Sequence, residues 1–376
     1  MKNKKKIAFL TGTRADFGKI KSLLQILQNN DEFEPYIFVT GMHLQKEYGY
    51  TLIEIEKCEF KNISTFQNFT NEATMDLTLS KTIEGFSAYV KEVSPDLIVV
   101  HGDRVEALAG AIVGSLNNIL VAHIEGGELS GTIDELIRHS VSKLSHIHFV
   151  SNESAKTRLL QMGEIPNSIF VIGSPDVDIM FSNKLPTIDV VKKYYEIAFE
   201  NYGVAMFHPV TTEFDNMKEY AQNFVEALLE DDKNYVVIYP NNDLGSKLIL
   251  EEYQKLEGNL RFRVFPSVRF EYFLTLLKNA NFIIGNSSAG IREAPYYNIK
   301  TINIGSRQEN RAVHNHIINT SYDKNEILKG IQLECIIKKE EQPKFGDGNS
   351  AVQFMSCLKS ESLWMINHQK QFVEFK

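Results

Sequence analysis

Short apolar runs closed by Gly, His or Asp recur along the chain and alternate with longer segments of helical period, the pattern of strand-helix units laid on a parallel sheet. In the first half, residues 6–10, 34–40, 97–101 and 119–124 read as strands, and 146–151 and 169–173 add two more. Residues 16–28 and 104–116 place apolar side chains at i, i+3, i+4 and i+7, which predicts crossover helices. The pattern restarts near Gly203. Strands at 203–208, 235–239, 261–265, 281–285 and 301–304 alternate with helices at 213–229, 244–255, 269–278 and 290–297.

This repeated pattern predicts an α/β protein of two Rossmann-like doubly wound domains in series, facing each other across a cleft and joined near Pro175 and Pro186. The boundaries expected are residues 1–176 for the first domain, 177–356 for the second, and 357–376 for a C-terminal helix that packs back on the first. A chain of 376 residues exceeds what one core usually serves, which agrees with two domains.

Composition narrows the function classes. With 22 Gly, 10 Pro and 43% hydrophobic residues, the chain is neither collagen-like nor disordered. Its 40 basic and 48 acidic residues leave a formal charge of −8, so no nucleic-acid partner is expected, because sequence-independent binding to a polyanion rests on a net basic surface. The lysine-rich start leads into an apolar stretch too short for a secretory signal, and no later run is apolar enough for a span, so no membrane association is expected. Cys58, Cys335 and Cys357 are far apart and lack CxxC spacing, which argues against a disulfide framework and fits the cytoplasm. The pairs His146/His148 and His314/His316 have no evident third ligand and read as structural, so no metal is expected. A Walker loop, a Gly-x-Ser-x-Gly elbow and a Gly-x-Gly-x-x-Gly turn after the first strand are all absent, which demotes nicotinamide chemistry and leaves no cofactor implied.

In open α/β sheets ligands sit at the carboxyl ends of strands, and here those ends are polar. The first strand feeds Thr11-Gly12-Thr13-Arg14-Ala15-Asp16, where free N–H groups at a helix start favour an anion and Arg14 could close on a phosphate; a plain structural turn fits equally. The third leads to His101-Gly102-Asp103-Arg104, with Asp103 either a helix cap or a functional acid. The fourth leads to His123-Ile124-Glu125-Gly126-Gly127-Glu128, and consecutive glycines between acids are more than packing alone would explain. If these strands are neighbours, Asp103 and Glu125 end side by side, and the loop could bring Asp134 over the same spot. Carboxylates so crowded would raise one another's pKa and serve as proton donors and acceptors.

In the second half an apolar strand runs into Gly285-Asn286-Ser287-Ser288-Ala289-Gly290, a turn whose N–H groups and hydroxyls suit a diphosphate, with Glu293 placed to accept from ribose hydroxyls. His208, Asn241 and Arg307 stand just beyond other strand ends. Val268 to Phe273 offers either an apolar wall for a base or ordinary core.

Taken together, Gly12-Thr13-Arg14-Ala15-Asp16, Thr40-Gly41-Met42-His43, His101-Gly102-Asp103-Arg104, His123-Ile124-Glu125-Gly126-Gly127-Glu128 with Thr132-Ile133-Asp134-Glu135, and Gly285-Asn286-Ser287-Ser288-Ala289-Gly290 resemble the hydrolysing UDP-N-acetylglucosamine 2-epimerases of bacterial sialic acid synthesis. The resemblance implies a GT-B-type fold and a reaction free of metal and nicotinamide, in which UDP-N-acetylglucosamine (UDP-GlcNAc) and water give N-acetylmannosamine and UDP through 2-acetamidoglucal. It implies Asp103, Glu125 and Asp134 as the catalytic acids. Arg14, Asn241, Ser287, Ser288, Glu293 and Arg307 would bind UDP, with Phe273 near the uracil, His208 on phosphate or sugar, and His43 and Arg104 on the sugar side. It also suggests a homodimer or homotetramer. Non-hydrolysing epimerases carry His-Val-Glu-Ala-Gly where this chain has His123-Ile124-Glu125-Gly126-Gly127, and that difference, with Asp134, points to the hydrolysing branch. Hydrolases of diacetamido-trideoxy sugars linked to UDP or GDP share the same motifs. A glycosyltransferase on this fold would have no use for three acids about carbon 2, and a nucleotide-sugar-binding regulator without turnover is the remaining alternative.

Overall fold

A computed structural model describes residues 4–69, 74–130, 132–308, 316–334 and 345–374; His314 and Cys335 lie outside them. The chain forms two compact units. One comprises Met1–Glu128, Asp134–Asn183 and Lys344–Lys376, the other Leu129–Ile133 and Lys184–Pro343.

The first unit holds a parallel sheet of β1 (Lys5–Thr11), β2 (Phe33–Val39), β3 (Ile63–Thr65), β4 (Leu97–His101), β5 (Leu120–Ile124), β6 (Ile147–Val150) and β7 (Ile169–Val171), in the order β3-β2-β1-β4-β5-β6-β7. The central strands are nearly continuous in apolar residues because helices cover both faces. Ile7, Phe9, Val99, Ala122, Ile124 and Phe149 pack with Ile20, Leu23 and Leu24 of the helix Arg14–Leu27. The helix Ser350–Lys359 completes this core, with the Phe354 ring 5.0 Å from Phe149 and 6.4 Å from Phe9.

The second unit repeats the scheme with β8 (Gly203–Met206), β9 (Tyr235–Ile238), β10 (Phe262–Phe265), β11 (Phe282–Gly285), β12 (Lys300–Ile304) and β13 (Ile317–Thr320), all parallel, in the order β10-β9-β8-β11-β12-β13. Its core gathers Ala205, Phe207, Val237, Ile284 and Ile302 with Ala221, Phe224 and Leu228 of the helix Met217–Glu230. In both sheets the order reverses beside the first strand, between β1 and β4 and between β8 and β11. Those reversals open the crevices in which doubly wound folds take ligands.

Within the segment expected to join the domains, between Pro175 and Pro186, residues 175–180 form the helix Pro175–Met180 of the first unit. Asp178 explains this: its carboxylate accepts the Ser350 and Ala351 N–H groups at 2.8 and 2.7 Å, capping the helix Ser350–Lys359. The units therefore divide at Asn183/Lys184 where 176/177 was expected, and the chain is back in the first unit from Lys344, ahead of 357. The helix expected over 290–297 is shorter, a four-residue α-helix, Ala289–Arg292, followed by a 3-10 turn, Ala294–Tyr297, that carries Pro295 as its second residue. No helix among the described residues is long and apolar enough to cross a membrane.

Candidate active site

Register brings the first acids together. β4 and β5 are adjacent with His101 opposite Ile124, so the residues that come next, Gly102-Asp103 and Glu125, leave the same edge. The Gly102 N–H donates to the Ile124 carbonyl at 3.0 Å, and its φ of +73° suits glycine. Glu125 itself has φ +63°, a left-handed conformation that costs a non-glycine residue about 1–2 kcal/mol. Its surroundings hold it there. Its N–H donates to the Phe149 carbonyl at 2.9 Å, and its own carbonyl accepts from Arg138 Nη1 at 2.7 Å.

Arg138 is 3% exposed and its Nη2 also donates to the Asp103 carboxylate, so one guanidinium ties both acid-bearing loops. The Glu125 carboxyl is 2% exposed as a residue; Oε1 accepts from the Ser174 hydroxyl, while Oε2 lies 3.2 Å from His101 Nε2 and 3.8 Å from Lys19 Nζ. Lys19 Nζ is also 3.4 Å from Asp176 Oδ2. Asp103 and Glu125 thus each stand beside a cation, and Glu125 shares its lysine with a second carboxylate, Asp176. Asp134 stands in the first turn of the helix Ile133–Leu144, four residues before Arg138 and so on the same face.

The two glycines after Glu125 have a packing reason after all. A Cβ on Gly126 would come 2.9 Å from His123 Nδ1 and 3.0 Å from Ser142 Oγ. One on Gly127, whose φ is +74°, would meet the Ala155 carbonyl at 2.3 Å. His123 is wholly buried, bonded to Ser142 Oγ at 3.0 Å and to the Gly102 carbonyl at 2.8 Å, and burial pulls its pKa down to about 3. It is a neutral strut beneath the acidic edge. His148, buried likewise, bonds Glu164 at 2.9 Å, and His146 Nε2 faces the His368 carbonyl at 2.9 Å, so that pair is structural.

The β1 turn carries an acid of its own, Asp16. The Asp16 carboxylate takes the Gly12 and Thr13 N–H groups, each at 3.0 Å, and the Thr13 hydroxyl accepts the Asp16 N–H, a closed capping box. The anion expected at those amides is therefore supplied by the chain itself. Arg14 opens the helix above them. His43, expected on the sugar side, is 0% exposed, with Nδ1 2.6 Å from Thr51 Oγ1 and Nε2 3.1 Å from Thr11 Oγ1, and burial lowers its pKa to about 4; it braces this turn from within. Arg104 turns its Nε to within 3.4 Å of Glu106, a buried acid lying against Gly12 and Gly41.

At the carboxyl edge of the second sheet, Gly285 has φ +127°, and a Cβ there would sit 2.0 Å from the Met206 carbonyl, so the turn after β11 requires glycine at its start. Ser287 and Ser288 come next, half-buried, with Ser287 Oγ accepting the Ala289 N–H at 3.3 Å. His208 Nδ1 accepts the Asn241 N–H at 3.0 Å, and Arg307 Nη1 donates to the Asn286 carbonyl at 3.2 Å. His208, Asn241, Arg307 and the Ser287-Ser288 turn are thus brought together. Glu293 stands just after the short helix and is 3% exposed. Phe273 is buried in the helix Phe270–Lys278, as are Phe270 at its start and Val268 just before it.

Sequence reasoning passed over Lys19, His101, Arg138, Ser174, Asp176 and Asn286 as individual site residues. His101 and Asn286 stood inside runs already singled out by their strand ends, and Lys19 lay three residues beyond another. Ser174 and Asp176 were hidden by Pro175, read as punctuation, and Arg138 stood outside every run singled out. Among the described residues, no group of three or more His, Cys, Asp and Glu is arranged to hold a metal ion.

The family model described as UDP-N-acetylglucosamine 2-epimerase matches residues 25–359. The chain belongs to this family. A UDP-N-acetylglucosamine 2-epimerase of Neisseria meningitidis serogroup B is 48% identical over 374 residues, 98% of this chain and 99% of that protein. A UDP-N,N'-diacetylbacillosamine 2-epimerase (hydrolyzing) of Legionella pneumophila is 34% identical, covering 95% of this chain and 96% of its own length. Among solved structures, the Methanocaldococcus jannaschii UDP-GlcNAc 2-epimerase in complex with UDP-GlcNAc and UDP aligns with a TM-score of 0.77 at 25% identity, over 94% of this chain and 99% of that one. The shared architecture is that of two parallel-sheet α/β units, the GT-B type expected.

Proposed function

We propose that this chain is a hydrolysing UDP-GlcNAc 2-epimerase, converting UDP-GlcNAc and water to N-acetylmannosamine and UDP in the cytoplasm at the head of sialic acid synthesis. The observation that carries the reading is the Asp103–Arg138–Glu125 arrangement, one guanidinium tying the Asp103 carboxylate and the Glu125 carbonyl at one sheet edge in a chain of this family. Elimination takes the proton from carbon 2 while the bond from carbon 1 to the UDP oxygen breaks, giving 2-acetamidoglucal and UDP. Hydration then returns a proton to carbon 2 from the opposite face and a water oxygen to carbon 1. Asp103, Glu125 and Asp134 share out these proton steps, and the Glu125 carboxyl, fixed by Ser174 and His101, is held in one orientation for its part.

By the resemblance, Ser287 and Ser288 in the second unit are assigned to the diphosphate, with His208, Asn241 and Arg307 as further contacts and Glu293 at the ribose, and Arg14 and Arg104 are the first unit's candidates for phosphate and sugar. Hydrolysis rather than simple epimerisation is favoured by the Gly126-Gly127-Glu128 approach to Asp134, and a relative named as hydrolyzing covers almost the whole chain. UDP-GlcNAc is favoured over a diacetamido-trideoxy sugar because identity is 48% to the relative named for the former and 34% to the one named for the latter.

The test offers UDP-GlcNAc and UDP-N,N'-diacetylbacillosamine in parallel, with NMR of the sugar released. Free N-acetylmannosamine, formed with the higher kcat/KM from UDP-GlcNAc, supports the reading. UDP-N-acetylmannosamine as product, or preference for the other sugar, overturns it.

A further inference from the structure

Asn286 is wholly buried at the point where the second sheet reverses, between the ends of β8 and β11. Its side chain grips the backbone of His208 on both sides. Oδ1 accepts the His208 N–H at 2.6 Å, and Nδ2 donates to the His208 carbonyl at 2.8 Å. Its own backbone is fixed as firmly: the N–H donates to the Met206 carbonyl at 3.1 Å, and the carbonyl accepts from Gln308 Nε2 at 2.8 Å and Arg307 Nη1 at 3.2 Å. An amide uses both ends here, as a serine or carboxylate could not, since only an amide offers one donor and one acceptor at this spacing.

The consequence reaches the imidazole. Fixed in this way, His208 presents Nδ1 to the Asn241 N–H at 3.0 Å. A backbone N–H can only donate, so Nδ1 must hold a lone pair and the ring proton resides on Nε2. Protonation of the ring would cost that bond.

We propose that Asn286 is a positioning residue for His208, holding its ring as the neutral Nε2–H tautomer, a hydrogen-bond donor to the nucleotide sugar and not a proton acceptor. The inference rests on the function proposed above for the part His208 plays. A neutral donor aimed at a departing diphosphate stabilises the charge that grows there as the bond to carbon 1 breaks, so its placement acts on kcat more than on KM.

The experiment uses the full chain labelled with ¹⁵N-histidine, the His208 signals being assigned by their loss in His208→Gln. At pH 7.5 the wild-type ring shows an unprotonated Nδ1 and a protonated Nε2. In Asn286→Asp, which keeps the volume and one acceptor but loses the amide donor, and in Asn286→Ala, the ring becomes a mixture of tautomers. In both, kcat for UDP-GlcNAc falls by roughly 10- to 100-fold, with KM changed less and the circular dichroism spectrum retained. Should the variants fail to fold, the wild-type spectrum decides: a ring protonated on Nδ1, or on both nitrogens, overturns the proposal. So does a folded Asn286→Asp with unchanged ring signals and unchanged kcat. If the wild type does not consume UDP-GlcNAc, the proposed function falls, whereas the tautomer is still read directly from the spectrum.

Discussion

Arg138 clasps Asp103: its buried guanidinium donates to the Asp103 carboxylate through Nη2 while Nη1 holds the Glu125 carbonyl 2.7 Å away. The pairing sets the spacing of the two loops that carry the acidic edge, so removal of the guanidinium should disturb both. Arg138→Met leaves Asp103 without its cation and the left-handed Glu125 without its restraint. Arg138 is 3% exposed and the Asp103 side chain 23%, so loss of one partner should cost less than the roughly 3–5 kcal/mol of a fully buried pair, read as a lower urea midpoint, and turnover should be lost with it. Arg138→Lys keeps the charge but cannot hold both oxygens at once, so it should recover most of the stability and little of the activity. Equal activity in Arg138→Lys and wild type would mean that the spacing is set elsewhere.

Glu125→Gln and Asp103→Asn alter proton transfer while leaving the second unit untouched. Both are expected to bind UDP with unaltered affinity by titration calorimetry and to lose at least about 100-fold in kcat, the usual worth of a positioned acid or base. Wild-type rates in either variant would contradict the assignment.

Replacing Ser287 and Ser288 together by alanine should do the converse, weakening UDP binding roughly tenfold or more as two hydroxyl donors are lost, at about 0.5–1.5 kcal/mol each. The fold should survive, because the turn after β11 depends on Gly285 and not on these side chains. Unchanged UDP affinity would argue that the diphosphate is held elsewhere.

Stability should fall on acidification, with a sign fixed by the buried histidines. Burial lowers the pKa of His43 to about 4 and of His123 to about 3. A histidine whose folded value lies below its unfolded value of about 6.5 is protonated more readily when unfolded. Its contribution is therefore complete above about pH 6.5 and is lost as pH falls toward 4 and 3. Glu164 adds a second phase: burial opposes its ionisation, but the bond from His148 and the charges of Lys370 and Lys143 outweigh this and bring it to about 2, so its contribution fades as pH drops from about 4.5 toward 2. Urea midpoints should decline from pH 7 to 4.5, and His43→Gln should flatten the slope. A pH-independent midpoint over that range would show that these rings are not held neutral.

Much of the fold was legible in the chain because parallel strands buried on both faces are apolar throughout: β4 was read at its observed bounds and β5 within one residue. The edge strands β3 and β13 were missed because they are short and largely uncovered, so they lack the apolar run that marks a central strand. Residues 175–180 were misread since Pro175 at the first helical position resembles a breaker, and only the distant Ser350 and Ala351 amides reveal why a helix stands there. In the candidate site the strand-end acids were visible from order alone. Their cations were not, because Lys19 and Arg138 reach Glu125 and Asp103 from helices remote in sequence, and nothing local distinguishes them from surface charges.

The most direct test of the central claim is the reaction of UDP-GlcNAc in heavy water, monitored by proton NMR and mass spectrometry of the products. Elimination and rehydration predict free N-acetylmannosamine carrying one deuterium at carbon 2, with UDP released in equal amount. A sugar that leaves unlabelled at carbon 2, or that stays joined to the nucleotide, would contradict the account.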